Sequence, residues 1–267
     1  QDKLPVASLL TDIFKYVDTE NYSYNELANE INIHTGGIGF ATTVTNKKEK
    51  DKYIVQFIVN AKMLDDKVDK GMELISEILF TSKLDDKKRL REIVAESHAN
   101  LKNDLVSAGH TTAAGRAISY VSPIGVVKEL TEGIDYYKYL ELINNDFDNQ
   151  YDKLVDDLKT VLGEILWRNG LEISYTSDCE PENVLKASVT NLSKRLSSRL
   201  SYENAKKISP CAYNEGFKTA SQVQYVATAG NFMERGLTYN GGLSVLSSIF
   251  SYDYLWINVR VKGGAYG

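Results

Sequence analysis

The residues best suited to chemistry in this chain are Arg260 and Tyr266, which flank the pair Gly263–Gly264 near the carboxyl end. On a continuous α-helix, two side chains six residues apart would point about 240° apart, because each turn takes 3.6 residues. Glycine readily adopts the left-handed conformation that ends helices, so the glycine pair predicts a helix stop that removes this restriction. A guanidinium and a phenol can both donate hydrogen bonds to a carbonyl or an oxyanion. Brought together, the two side chains would suit an acyl-transfer centre.

Simpler interpretations of this segment stay open. A double glycine is commonly a turn without further function. Arg260 would then belong to a surface ion pair and Tyr266 would be a packed aromatic residue. A phosphate-binding loop is disfavoured, because Lys262 and the two glycines after it lack the order GxxxxGK[ST].

The histidines His34, His98 and His110 are the only three in the chain, and they form no zinc signature. No HExxH or HxxEH pattern surrounds them, whereas a catalytic zinc needs three protein ligands and an open position. His98 and His110 would lie about 18 Å apart along a continuous helix, and they could share a metal only if the chain folded back at Gly109. We therefore expect His98 to be a packed or helix-surface residue and His34 to be a charge at a helix end.

The carboxyl-terminal segment also resembles a known family. The resemblance runs over Gly241-Gly-Leu-Ser-Val-Leu246, Asp253-Tyr-Leu-Trp256 and Val259-Arg-Val-Lys-Gly-Gly-Ala-Tyr-Gly267. It is similar to the C-terminal half of the pitrilysin/insulinase-type zinc metallopeptidases, in their presequence-protease branch, which includes falcilysin-like enzymes. That branch carries an Arg-Val-x-Gly-Gly-Ala-Tyr-Gly stretch, and Arg260 and Tyr266 occupy its arginine and tyrosine positions.

The resemblance implies a site shared between two halves of one polypeptide. In the family, a closed chamber holds a peptide at a zinc ion bound by the N-terminal half. Tyr266 would be catalytic, as the donor to the scissile carbonyl oxygen, and Arg260 and Tyr266 would both bind substrate. A catalytic domain of the family carries HxxEH on its first helix, where this chain has Val6, Leu9 and Leu10. The resemblance thus implies a metal-free copy of that domain, with zinc in the parent protein and none here.

The composition of the chain limits the kinds of partner that we expect. The hydrophobic fraction of 43% and the charged fraction of 25% are ordinary for a globular protein. The net charge is −5 with no basic cluster, which disfavours nucleic acid, and no run approaches the ~18 apolar residues of a membrane span. Cys179 and Cys211 lack CxxC spacing and indicate incidental thiols of a reducing compartment, with one disulfide as the alternative. The expected partners are a peptide substrate and the N-terminal half of the same polypeptide, in the cytoplasm of a bacterium or an organelle of a eukaryote.

The elements that would position these residues are mostly helices. Apolar residues at helical spacing predict helices over residues 4–14, 24–33, 68–79, 86–108, 136–143, 147–167, 181–200 and 241–250. Strands are predicted over residues 38–44, 53–59, 171–176 and 221–228. The first two strands flank the charged residues 46–52 and predict an antiparallel hairpin. Residues 109–115 are predicted to interrupt the helical pattern, and residues 120–125 to form a turn.

The predicted fold class is α+β: a metallopeptidase-type repeat domain with an antiparallel sheet packed by helices, plus the start of a second such domain. The first domain is assigned to residues 1–201, an aperiodic linker to 202–215 and the second unit to 216–267. About fifty residues cannot bury a self-sufficient core. We therefore expect a piece of a longer polypeptide, holding the third of four homologous domains and the beginning of the fourth.

The predicted function is that of a C-terminal-half piece of a zinc-dependent endopeptidase that degrades unstructured peptides in an enclosed chamber. The piece alone should be inactive, because it lacks the zinc motif. One alternative is a non-catalytic scaffold or core subunit of the same fold, which an upstream HxxEH helix would exclude. A second is an unrelated α/β domain with a glycine-rich ligand loop, which stabilisation by nucleotides but not by peptides would favour.

Overall fold

The computed structural model describes residues 1–47, 52–178, 180, 185–198, 207–220 and 222–264. The helices in these ranges are α1 Leu4–Ile13, α2 Tyr24–His34, α3 Val68–Thr81, α4 Lys87–Ser107, α5 Gly109–Ser119, α6 Pro123–Thr131, α7 Ile134–Asn145, α8 Phe147–Ile165, α9 Lys186–Arg195 and α10 Gly242–Ile249. Helix α10 runs directly into a π-helical segment, Phe250–Val261. The strands β1 Ile38–Asn46 and β2 Tyr53–Ala61 form an antiparallel pair. The predicted α+β class is confirmed.

Helix α1 lies at the centre of the core. Pro5 stands in its first turn, where the fixed backbone angle of proline suits a helix and no hydrogen-bond donor is lost. Val6, Leu9 and Leu10 are at most 2% exposed. They belong to one continuous apolar cluster that includes residues of β1, α3, α4, α7 and α8. By the resemblance, these three positions correspond to the zinc ligands and the base of a catalytic domain. In this chain they are therefore core positions.

The β1–β2 hairpin is attached to α1 through three phenylalanines. The Phe14 ring lies 5.1 Å from that of Phe40 on β1 and 6.1 Å from that of Phe57 on β2, measured between ring centroids. Phe14 is fully buried. The predicted antiparallel hairpin is confirmed, whereas its charged tip at residues 48–51 lies outside the described residues.

Local side-chain hydrogen bonds set the starts of two helices. Before α2, the Ser23 hydroxyl accepts a hydrogen bond from the Glu26 amide, and the Glu26 carboxylate accepts one from the Ser23 amide, which is a capping box. The hydrogen bonds from Ser23 lower the pKa of Glu26. Before α6, Ser122 caps the helix and Pro123 follows in its first turn. The turn predicted over residues 120–125 is therefore only partly correct, because the chain turns at Tyr120 and is already helical from Pro123 onwards.

Two predicted strands and one predicted interruption were wrong. Residues 171–176 and the described residues 222–228 form no strand. Both stretches are mainly exposed and have no partner strand in the described part of the chain. A strand needs a neighbouring strand to accept and donate its backbone hydrogen bonds, and alternating polarity alone does not provide one. The helix predicted to end near residue 108 does end at Ser107, but residues 109–115 then form α5 instead of a non-helical stretch. Their small side chains carry no apolar periodicity, and α5 is packed instead against α6.

None of the described helices is both long enough and apolar enough to cross a membrane.

Candidate functional site

Arg260 is presented by the π-helical segment that follows α10. Its guanidinium carbon lies 4.4 Å from the ring centroid of Trp256, four residues earlier, in a cation–π contact. Such a contact with tryptophan stabilises the cation by about 0.5–1 kcal/mol at an exposed site and limits where the guanidinium can point. Arg260 is exposed, so a ligand can reach its side chain.

The predicted helix stop after Arg260 is confirmed. The Gly264 amide donates a hydrogen bond of 3.0 Å to the Arg260 carbonyl, and Gly264 has φ +70°, in the left-handed region that favours glycine. At Gly263, a Cβ atom would lie 2.6 Å from the Val259 carbonyl oxygen, so a larger residue could not replace it without a shift of the backbone. Tyr266 lies outside the described residues. Its convergence with Arg260 therefore stays a prediction.

The helical segment that carries Arg260 is exposed over almost its whole length and rich in large apolar side chains. Its large exposed hydrophobic residues are Leu243, Val245, Leu246, Ile249, Phe250, Tyr252, Tyr254, Leu255, Trp256, Ile257 and Val261. An exposed apolar surface of this extent is typical of one that another part of a larger protein covers.

The histidines do not assemble into a metal site. The His98 ring stacks on Tyr137, with centroids 4.9 Å apart, which agrees with the predicted packed or helix-surface position. His34 is the last residue of α2, and its Nε2 lies 3.6 Å from a carboxylate oxygen of Glu30. His110 lies beside Tyr225 instead. In the part of the chain that the structure describes, no three His, Cys, Asp or Glu residues could hold a metal ion, so a zinc ion does not fit there.

Only one of the two cysteines lies in the described part of the chain. Cys211 is exposed, and Cys179 lies outside the described residues. Neither interpretation of this pair of thiols is therefore tested.

A cluster of charges around Arg116 was not predicted. The Arg116 Nε donates to Glu215 at 2.6 Å, and its Nη1 donates to Glu129 at 3.0 Å and to Asp135 at 2.8 Å. The Tyr120 hydroxyl donates to the same Glu215 oxygen at 2.5 Å. No motif in the sequence relates Arg116 to a glutamate ninety-nine residues later, which is why this cluster could not be found from spacing.

Burial and ion pairing determine the protonation of this cluster. Burial works against the charge on Arg116, but hydrogen bonds to Glu215 and Asp135 outweigh it and raise the pKa of the guanidinium. Burial raises the pKa of Glu129. The hydrogen bond from Arg116 lowers the pKa of Glu215, which therefore stays ionised at neutral pH.

Two family descriptions match this chain. One describes a region associated with peptidases of family M16, subfamily C, and matches residues 1–143. The other describes the PreP C-terminal domain and matches residues 214–267. The second range contains Arg260 and Tyr266.

Similar proteins come from bacteria, plants and fungi. Protein HypA of Clostridium perfringens is 37% identical over 274 residues, which cover 100% of this chain and 27% of that protein. Presequence protease 1, chloroplastic/mitochondrial, of Arabidopsis thaliana is 26% identical, with 99% of this chain and 24% of that protein covered. The mitochondrial presequence protease of Saccharomyces cerevisiae is 25% identical, with 98% and 28% covered.

The chain belongs to the pitrilysin-type peptidase family, in the branch of the presequence proteases. It spans about a quarter of the length of the curated relatives it matches. The division into residues 1–201, 202–215 and 216–267 stays a prediction.

Proposed function

We propose that this chain is the part of a zinc-dependent endopeptidase that contacts the peptide from the side opposite the metal. The observation that carries the proposal is the match of residues 214–267 to the PreP C-terminal domain, because this range contains both Arg260 and Tyr266. The proposed substrates are unstructured peptides held in an enclosed chamber.

Arg260 is suited to bind the peptide backbone. Its guanidinium is permanently charged and presents five donors in a rigid fork, and carbonyl oxygens of an extended peptide are acceptors for such a fork. The contact with Trp256 limits the directions in which the fork can point. Less freedom is then lost when a peptide binds, because the side chain is partly ordered beforehand.

Tyr266 is proposed to act on the scissile carbonyl. Its phenol is neutral near pH 7 and donates one hydrogen bond. During hydrolysis the carbonyl oxygen gains negative charge, so a donor placed there stabilises the transition state more than the substrate. The left-handed conformation of Gly264 ends the helix before Tyr266, and we propose that the phenol can thereby reach the same peptide as Arg260.

Zinc is proposed for another part of the same polypeptide, because the described residues offer no ligand set for it. When bound, zinc supplies a nucleophilic water near neutral pH. The same part of the polypeptide is the proposed partner of the exposed apolar segment at residues 242–261. The only partners proposed for this chain are a peptide and that part of the polypeptide. Neither a nucleic acid nor a membrane is proposed.

The test is a peptidase assay of the full-length polypeptide on an unstructured peptide. We expect cleavage that a zinc chelator abolishes and that added zinc restores, since the metal makes the attacking water nucleophilic. The 267-residue chain alone should cleave nothing under the same conditions. A full-length polypeptide that binds no zinc and leaves the peptide intact would instead favour the scaffold alternative.

A further inference from the structure

Helix α5 is in contact with the chain that leads into the second unit at both of its ends. At its carboxyl end, Arg116 is bonded to Glu215, as described above. At its amino end, the ring of Tyr225 lies against Gly109 and 6.2 Å from the ring of His110. The chain therefore passes α5 in the opposite direction to the helix.

Glu215 completes a buried ionic cluster that the first domain cannot complete alone. Side-chain exposure is 9% for Arg116 and 5% for Glu129, against 25% for Glu215. A buried guanidinium needs its donors occupied, because an unpaired donor loses water without a replacement. Glu129 and Asp135 occupy Nη1, and Glu215 occupies Nε. Removal of Glu215 would leave the Nε donor without its carboxylate.

Aromatic rings surround the same guanidinium. The ring centroids of Tyr120, Tyr213 and Phe217 lie 5.6, 5.9 and 5.7 Å from the guanidinium carbon of Arg116. The Lys138 ammonium nitrogen lies 5.5 Å from the centroid of the Phe217 ring. Rings at this distance attract the cation and reduce access of water to the ion pair, which strengthens it.

The amino end of α5 accepts Tyr225 only because residue 109 is glycine. A Cβ atom there would lie 2.4 Å from two carbon atoms of the Tyr225 ring, well inside van der Waals contact. The absence of a side chain at Gly109 thus permits the close approach of the segment around Tyr225 to α5.

We propose that Arg116 and Glu215 are positioning residues, which together with Gly109 and Tyr225 hold the second unit on helix α5. The contacts lie at the end of the predicted linker and at the beginning of the unit that carries Arg260 and Tyr266, so they determine where that unit leaves the first domain. An effect of this attachment on catalysis depends on the proposed function, whereas the attachment itself is independent of that function.

The attachment is tested by limited proteolysis of the 267-residue chain with chymotrypsin, which cleaves after aromatic residues. Glu215→Gln removes the charge and keeps the shape. We expect cleavage after Tyr213, Phe217 and Tyr225 to become about tenfold faster, because the amide keeps an acceptor oxygen but loses the charge that pairs with the buried guanidinium, which favours local opening. Glu172→Gln, the same change at an exposed residue, is the matched control and should leave the rate unchanged.

A second variant keeps the test independent of charge. Gly109→Ala should also accelerate cleavage after Tyr225, although alanine favours the helix itself. Its control is Gly163→Ala in α8, where a Cβ atom would meet nothing within 4 Å. Unchanged cleavage in both Glu215→Gln and Gly109→Ala would overturn the attachment.

The positioning role is tested in the full-length polypeptide. Glu215→Gln should lower kcat/KM about tenfold at unchanged zinc content, because a displacement of about 1 Å in a group that contacts substrate is already costly. An unchanged kcat/KM together with faster proteolysis would overturn the positioning role. A wild-type polypeptide without peptidase activity would overturn the proposed function instead, while the proteolysis result would still decide the attachment.

Discussion

Tyr266→Phe in the full-length polypeptide should lower kcat for peptide hydrolysis by roughly 10²–10³-fold, the usual effect of losing one donor to a developing oxyanion. The substitution removes a single hydroxyl and keeps the ring, so packing around residue 266 is preserved. KM should change little, because the hydrogen bond is proposed to strengthen only as the carbonyl oxygen becomes charged. Steady-state kinetics on an unstructured peptide separates the two parameters.

The control for this experiment is Tyr239→Phe, the same substitution in the same unit. Tyr239 is exposed and lies outside the apolar segment at residues 242–261. It should have wild-type kcat. A raised KM with an unchanged kcat in Tyr266→Phe would mean that the tyrosine binds the peptide without assisting the reaction.

The second large effect concerns the stability of the first domain. Phe14→Ala should lower the free energy of unfolding by about 3–5 kcal/mol, the usual cost of truncating a buried phenylalanine. Phe14 is fully buried and links α1 to both strands through Phe40 and Phe57. The cavity would therefore open where three elements meet. Urea denaturation of the 267-residue chain, followed by circular dichroism, measures the change.

Phe232→Ala is the matched control, since Phe232 is 38% exposed and lies outside the core cluster. Its unfolding midpoint should stay close to that of the wild type. A loss of less than about 1 kcal/mol in Phe14→Ala would show that the phenylalanine cluster does not join the hairpin to α1 in solution.

Long amphipathic elements were predictable from the sequence because burial imposes a period on it. Helix α1 shows this directly: Val6, Leu9 and Leu10 recur at helical spacing, and all three lie in the core. The hairpin was predictable from alternation over β1 and from the apolar run over β2, and Phe40 and Phe57 on these strands pack against Phe14. The glycine stop after Arg260 followed from local backbone chemistry alone.

Features that depend on contacts distant in sequence were not predictable. Helix α5 was not predicted because the glycine and alanine residues on its faces leave no apolar period in the sequence. The strand expected at residues 171–176 failed because a strand exists only with a partner, and the sequence does not show whether one is present. The Arg116–Glu215 pair joins residues ninety-nine positions apart, and such pairs follow from the fold rather than from a motif.

The candidate site was predictable only in part. The position of Arg260 on a helix that ends in glycine follows from the sequence, as does its spacing from Tyr266. The cation–π contact with Trp256 was not predicted, although the four-residue spacing on a helix would have indicated it.

The most direct test of the proposed role of Tyr266 is the distance from its hydroxyl oxygen to the oxyanion position in the full-length polypeptide with a tetrahedral phosphinate analogue of the scissile bond bound. A crystal or cryo-electron microscopy structure of that complex would provide it. We predict about 2.7–3.1 Å, the separation at which a donor stabilises a developing oxyanion, with Arg260 bonded to the peptide backbone nearby. A Tyr266 hydroxyl that points away from the bound peptide, with Arg260 bonded elsewhere, would contradict the proposed role of both residues.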